Sequence, residues 1–263
     1  MSDNTVHTNK IEDFRCVVTS SESFSEKMGW FTVRCRKLAE RIQPGACVMV
    51  FPSLSNDPLL GRPFAVADVD ISKGELSVCY MVIGRGTEMM LGISPGKEVK
   101  LRGPFGVPLP SVDGKVSIAA GGAGIATFLY FAKKYPEKTA GIYLGIPGKG
   151  YERFAAVISK LIPQVHIFTD DGSFGEGNNM FKVLPKGLRE DESIWSCGPP
   201  GFLKALKKHY VNELDKLYFS VDKRMACGYG GCMGCVVETI DGLKRLCVDQ
   251  LLFRADEVAD DED

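Results

Sequence analysis

Short apolar runs broken by polar turns dominate the first hundred residues. "FRCVVTS", "WFTVRC", "CVMVF", "FAVADVD", "ELSVCYMVI" and "EVKLRG" are β-branched or aromatic stretches, separated by Pro, Gly, Ser and Asn clusters. Such runs predict strands, and their regular spacing predicts a small barrel or sandwich. Helical periodicity is faint apart from "TEMMLGI". From "GKVSIAAGGAGIATFLYFAKKYP" the rhythm changes: "VSIAA" is continuously apolar, as expected of a strand covered on both faces. A glycine loop and an apolar-periodic helix ending near Pro136 follow. "AGIYLGI", "VHIFTDD" and "ESIWSCGPP" then read as strands, and "YERFAAVISKLI" and "GFLKALKKHYVNEL" as helices, with a short helix or turn at "FKVLPKGL". Alternating strands and helices predict a parallel sheet with helices on both faces. The pattern therefore predicts a multi-domain β plus α/β protein. Its units are a barrel over 10–110, a Rossmann-like domain over 111–218 and a small cysteine-bearing segment over 219–255. The acidic tail "ADEVADDED" reads as solvated and frayed.

Composition changes this picture little. The 263 residues are 44% hydrophobic and 25% charged, with a net charge of −1, so no global field favours nucleic acid or an anionic membrane. No stretch approaches the ~18–20 apolar residues of a membrane span, and the polar N-terminus has no secretory pattern. The expectation is a cytoplasmic protein, where stable disulfides are rare. Of nine cysteines, Cys16, Cys35, Cys47, Cys79 and Cys197 are scattered. Those in apolar runs read as buried, inert thiols. The histidines are only His7, His166 and His209, so no nearby His motif makes Cys197 a nucleophile.

Three stretches carry candidate nucleotide chemistry. "AAGGAGIAT" follows a strand and opens a helix, where Gly121, Gly122 and Gly124 would let backbone approach a pyrophosphate at the helix N-terminus. Its G-G-x-G spacing is not the G-x-G-x-x-G of common dehydrogenases, and a plain strand-to-helix turn is the alternative. "TDDGSFGEG" offers Asp170 and Asp171 to ribose hydroxyls, although Asp-Gly-Ser is also ordinary turn chemistry. "CGPP" ends a further strand, and its Cys197, with Gly198 and Pro199, can pack against a flat ring.

The densest chemistry is "CGYGGCMGC". With a fourth thiol, the spacing is C-x4-C-x2-C-x11-C over Cys227, Cys232, Cys235 and Cys247. Structural zinc sites present two separated C-x2-C knuckles, whereas this grouping is that of plant-type [2Fe–2S] loops. Zinc and thiol redox chemistry stay open as alternatives. Gly228, Gly230, Gly231 and Gly234 permit unusual dihedrals, so amides can approach sulfur. "VVETIDGLKRL" reads as a hairpin turning at Asp241-Gly242, which returns Cys247 to the loop.

In order, "GRPFAV", "GRGTEM", "GPFG", "GGAGIA", "TDDGSFGEG", "CGPP" and "RMACGYGGCMGC" resemble the electron-transfer subunits of dihydroorotate dehydrogenase B, within the ferredoxin–NADP reductase superfamily. The resemblance covers roughly residues 10 to 255. It implies an FAD-binding barrel in which Arg62 pairs with the pyrophosphate through its guanidinium fork. Pro63, Phe64 and Ala65 would pass along the flavin ring, Cys79, Tyr80 and Met81 would line it, and Gly86 and Thr87 would donate to phosphate. It also implies NAD(H), with NADH favoured over NADPH by the family alone, since "LGIPGKG" offers Lys149 but no decisive acid. The chain departs from the family at Ala65, where Ser is usual, at Met81, where Arg is frequent, and at Thr127, where Pro is common. The implied activity is an NAD(H)-linked oxidoreductase component with FAD and a [2Fe–2S] cluster, serving an FMN-containing catalytic subunit in a heterotetramer of pyrimidine biosynthesis. Alternatives are the flavin subunit of a sulfide dehydrogenase or bifurcating transhydrogenase, a redox-sensing nucleotide-binding regulator, or a zinc-stabilised module. The sulfide dehydrogenase and transhydrogenase relatives can replace one cluster cysteine with Asp, so four cysteines favour the dihydroorotate system.

Overall fold

The computed structural model describes residues 10–258. Six strands close into a barrel: β1 (Glu12–Ser25), β2 (Met28–Arg34), β3 (Cys47–Phe51), β4 (Arg62–Asp70), β5 (Glu75–Met81) and β6 (Glu98–Phe105). Their order around the barrel is β1-β2-β5-β4-β3-β6. Two short helices, α1 (Arg36–Ala39) and α2 (Arg85–Leu91), lie in its connections.

Strand periodicity explains why some barrel runs are apolar throughout. In β3 the alternate residues Val48 and Val50 fill the barrel, while Cys47, Met49 and Phe51 pack outward under the cysteine segment. In β5 Leu76, Val78 and Tyr80 point inward, and Cys79 packs outward against the second, sheet-bearing body. Both faces of these strands are buried, so neither shows polar alternation.

The second body is a six-stranded sheet. Its parallel strands are β7 (Lys115–Gly121), β8 (Thr139–Ile146), β9 (Val165–Thr169), β10 (Glu192–Cys197) and β11 (Leu217–Phe219). Three helices cover it: α3 (Ala126–Lys134), α4 (Glu152–Leu161) and α5 (Pro200–His209). Helix α3 is buried from Ala126 to Ala132 because the sheet lies on one side and the barrel on the other. Phe131 packs on Trp195 with ring centroids 4.8 Å apart.

The cysteine segment forms a hairpin of β12 (Val236–Thr239) and β13 (Gly242–Arg245). Thr239 pairs with Gly242, so the turn residues are Ile240 and Asp241, one position earlier than the sequence suggests. The chain then returns to the sheet as β14 (Phe253–Arg254), antiparallel to β11. Neither β11 nor β14 is expected from the sequence pattern. The start of the acidic tail is also packed rather than frayed: Ala255 and Val258 are buried, and Val258 bridges Thr239. The rest of the tail lies outside the described residues.

Candidate electron-transfer site

The sheet order β14-β11-β10-β7-β8-β9 reverses direction between β7 and β10. The loops leaving those two strands meet at the carboxyl edge, which is where open α/β sheets bind ligands. Both are candidate loops. A methyl on Gly121 would stand 2.7 Å from Pro199 Cδ, and one on Gly198 would stand 3.0 Å from the Gly121 nitrogen. A methyl on Gly124 would lie 2.4 Å from the Cys197 carbonyl oxygen and 3.1 Å from its Sγ. Gly122 alone has open space and a left-handed φ of +55°. The structure thus joins Gly121, Gly122, Gly124, Cys197, Gly198 and Pro199 in one half-exposed cradle. Burial pushes the Cys197 thiol up to about 11, against hydrogen bonds with Thr127 and Ser220.

Asp170 and Asp171 are exposed on the loop after β9. Asp171 is committed to that loop: its carboxylate accepts the Lys149 and Ser173 amides, each at 2.9 Å. Those bonds hold its pKa at about 2.

On the barrel, Arg62, Pro63, Phe64 and Ala65 form the half-buried start of β4. The Arg62 guanidinium lies over Gly86, where a methyl would stand 1.9 Å from Nε. Thr87 differs from the sequence expectation. Its hydroxyl accepts the Ile83 and Gly84 amides at 3.0 and 3.2 Å and donates to the Gly84 carbonyl at 2.8 Å. Its own amide donates to the same carbonyl, so both donors are spent on the turn. Cys79 is 5% exposed and Met81 half-buried, both against the nucleotide domain.

Tyr80 is 1% exposed, with its ring 5.8 Å from that of Phe64. Its hydroxyl is buried without a hydrogen-bond partner among the described residues. An unpaired buried hydroxyl costs roughly 1–3 kcal/mol. Tyr80→Phe should therefore keep or raise stability, by up to about 1 kcal/mol in urea unfolding. A loss larger than that would show that the hydroxyl does have a partner.

The four clustered thiols form two pairs. Cys235 and Cys247, each 2% exposed, have sulfurs 3.3 Å apart. Cys227 neighbours the exposed Cys232, whose sulfur accepts the Gly234 amide at 3.4 Å. The hairpin creates the first pair, because the Leu246 amide donates to the Cys235 carbonyl and sets Cys247 beside it. The loop creates the second. Gly228 and Gly230 adopt φ of +75° and +84°, and Met233 adopts +57°, rare for a residue with a side chain. Burial works to raise the Cys227 thiol, but the Tyr229, Cys232 and Gly231 amides and the Cys232 side chain bring it down to about 6. Arg245 clasps the unit, donating to Gly230 O at 3.0 Å while pairing with Asp249 at 2.8 Å. Among the described residues no three or more His, Cys, Asp or Glu converge on a single metal position. Two thiol pairs with amides directed at sulfur fit a two-iron cluster better than one tetrahedral zinc.

The pairs lie close to the other loops. Cys235, Cys247, Cys47 and Phe105 pack in one cluster, with Ala65 against it. The Gly106 amide donates to the Cys247 carbonyl at 3.1 Å. Burial pushes the Cys47 thiol up to about 12, with smaller contributions from Asp222, Cys247 and Cys197. Cys47 therefore packs against the buried thiol pair from the barrel side. Asp222 shares that junction. Crowding by protein raises its carboxyl above the usual range, although it keeps solvent contact. Asp222 and Ser220 belong to no sequence motif, and their placement follows from β11, which ends at Phe219.

A barrel joined to a doubly wound sheet is the ferredoxin–NADP reductase fold, to which this chain adds a thiol loop. A family model for the iron-sulfur cluster binding domain of dihydroorotate dehydrogenase B matches residues 222–259. A dihydroorotate dehydrogenase B (NAD(+)) electron transfer subunit homolog of Aquifex aeolicus is 35% identical, over 84% of this chain and 88% of its own. The electron transfer subunit of Geobacillus kaustophilus is 30% identical, over 93% of this chain and 97% of its own. The solved NADH-dependent reduced ferredoxin-NADP oxidoreductase, from work on flavin-based electron bifurcation, superposes with a TM-score of 0.78 at 26% identity, over 94% of this chain and 90% of that one. Phthalate dioxygenase reductase shares the fold, with a TM-score of 0.64 at 13% identity. This chain belongs to the family of dihydroorotate dehydrogenase B electron transfer subunits. No helix among its described residues is long and apolar enough to cross a membrane.

Proposed function

We propose that this chain relays electrons between NAD(H), FAD and a [2Fe–2S] cluster to the FMN-containing catalytic subunit of a dihydroorotate dehydrogenase. The two assemble as a heterotetramer in pyrimidine biosynthesis. The observation that carries this reading is the junction at Cys47, where the barrel residue Ala65 and the buried thiol pair Cys235 and Cys247 pack in one cluster. The names of the relatives supply the catalytic partner and the nucleotide.

The chain divides into an FAD barrel (10–110), an NAD domain (111–218) and a cluster segment (219–255). Arg62 holds the flavin pyrophosphate, with Gly86 leaving room for its guanidinium. Pro63, Phe64 and Ala65 flank the ring, and Tyr80 supports Phe64 from inside the barrel. Gly121, Gly122 and Gly124 bring backbone to the nucleotide, and Cys197 packs at its ring end. Cys227 with Cys232, and Cys235 with Cys247, hold the cluster as thiolates. When bound, a flavin accepts two electrons together and releases them singly to a one-electron centre. Tyr229 and Met233, 59% and 50% exposed beside the thiols, supply an apolar face for the partner subunit.

The test is reconstitution of the purified chain with FAD, iron and sulfide, followed by NADH near neutral pH. Bleaching of the flavin is expected, and an unchanged spectrum would sink the reading. Arg62→Ala should weaken FAD binding at least ~10-fold, the loss of a charge-assisted fork, while the unfolding midpoint of the cofactor-free protein stays put. Equal affinity in a flavin titration would remove Arg62 from the site.

A second reading has specific support. The superposition on the bifurcation enzyme spans nearly both chains, which suits a flavin subunit of a bifurcating transhydrogenase. Adding the FMN subunit distinguishes them, because only the first reading yields NAD-linked dihydroorotate oxidation.

A further inference from the structure

Cys16 and Cys35 take no part in the electron-transfer reading. Strand register sets them face to face. Val17 pairs with Arg34 and Val18 with Val33, so one further step places Cys16 opposite Cys35. Directly opposed residues on antiparallel strands have Cα atoms about 4.5–5.5 Å apart. That lies inside the ~4.4–6.8 Å span of a disulfide. Both side chains meet the same apolar cluster inside the barrel, Cys16 within it and Cys35 packed against it.

Their surroundings differ. Cys16 is 0% exposed in the barrel core, whereas Cys35 is half-buried at the rim, just ahead of α1. The Cys35 backbone is pinned: its amide donates to Gly74 O at 2.8 Å, and its carbonyl accepts the Leu38 and Ala39 amides at 3.1 and 2.9 Å. The neighbouring Cys16 side chain holds the Cys35 thiol down to about 7, aided by the Leu38 amide and the Lys37 charge and opposed by burial. The same proximity and its burial push the Cys16 thiol up. The thiol that solvent reaches is therefore Cys35, while the buried Cys16 donates its S–H to the Phe14 carbonyl at 3.8 Å. A solvent-reached thiolate beside a protonated resolving thiol reacts readily with peroxide.

We propose that Cys35 and Cys16 form a peroxide-oxidisable dithiol, a modification site on the barrel distinct from the four clustered thiols. The Cys35 sulfur attacks one oxygen of hydrogen peroxide. The S–O bond forms, the O–O bond breaks, and the departing hydroxide takes a proton from solvent. Cys35 becomes a sulfenic acid, oxidised by two electrons, and the peroxide is reduced. The Cys16 sulfur then attacks the Cys35 sulfur. The S–S bond forms, the S–O bond breaks, and the leaving hydroxide departs as water with the Cys16 proton. A dithiol reductant reverses the change.

The experiment treats the full chain, cofactor-loaded as purified, with hydrogen peroxide near pH 7. Peptides are then mapped without reduction. A Cys16–Cys35 linkage is expected, while Cys79 and Cys47, whose thiols burial pushes up to about 12, stay unmodified and serve as internal controls. Cys16→Ala should stop the reaction at a Cys35 sulfenic acid that dimedone labels, and Cys35→Ser should abolish both products. Wild-type protein whose Cys16 and Cys35 remain free overturns the proposal without any variant. So does Cys35 that resists dimedone in Cys16→Ala. Flavin reduction by NADH is measured on the same samples, so failure of the electron-transfer reading is seen separately.

Discussion

Cys247→Ser empties the cluster site. Cys247 and Cys235 form the buried pair, with sulfurs 3.3 Å apart. A serine there leaves Cys235 without its partner in a pocket that water does not reach. A hydroxyl is also a poor substitute for a soft thiolate ligand. Bound iron and the long-wavelength absorbance should be lost from the purified protein. Reduction of a one-electron acceptor should fall by at least ~100-fold, beyond the 10–100-fold cost of disturbing an outer-shell partner. The flavin remains, because Arg62 and Gly86 lie on the barrel. Iron retained at the wild-type level would remove Cys247 from the ligand set. Circular dichroism checks that the hairpin survives.

Gly124→Ala strikes the other half of the site. Its methyl would sit 2.4 Å from the Cys197 carbonyl oxygen and 2.7 Å from the carbonyl carbon. Backbone cannot swing aside as a side chain can, so the loops after β7 and β10 must part. Overpacking of this kind costs about 1–3 kcal/mol, read as a lower urea midpoint. NADH binding should weaken with it, because the cradle is the contact that opens. Gly122→Ala is the comparison. Nothing lies within 4 Å of its new methyl, and the penalty is only the left-handed φ, about 1–2 kcal/mol. If both substitutions weaken NADH equally, the close approach of the two loops is not what shapes the site.

The six barrel strands were legible because each is a β-branched or aromatic run closed by turn residues. The thiol loop was legible because ligand spacing is a covalent fact of the chain. The glycine loop was legible in context, between a buried strand and a helix. Other features are set by tertiary contact. Strands β11 and β14 have three and two residues and exist because the sheet edge pairs them. Thr87 and Asp171 are polar residues in the expected loops, yet their own turns consume the groups that sequence offers to a ligand. Spacing does not reveal which amide a side chain will meet first. Asp222 carries no pattern at all, and its position follows from where β11 ends. Cys35 looked like one more strand thiol, and only the register with Cys16 sets it apart.

The antiparallel return of β14 has an architectural consequence. The chain leaves the sheet after β11, builds the thiol unit, and re-enters beside the same strand. Neighbouring strands lie about 4.8 Å apart, so the excursion starts and finishes at nearly one point. The thiol unit is therefore an insertion within the sheet domain, not an appendage at its end. Such insertions can be excised with a short bridge across the gap. A chain shortened in this way would keep both sheets but uncover Met49, Phe51 and Phe105, the barrel face that the cysteine unit buries.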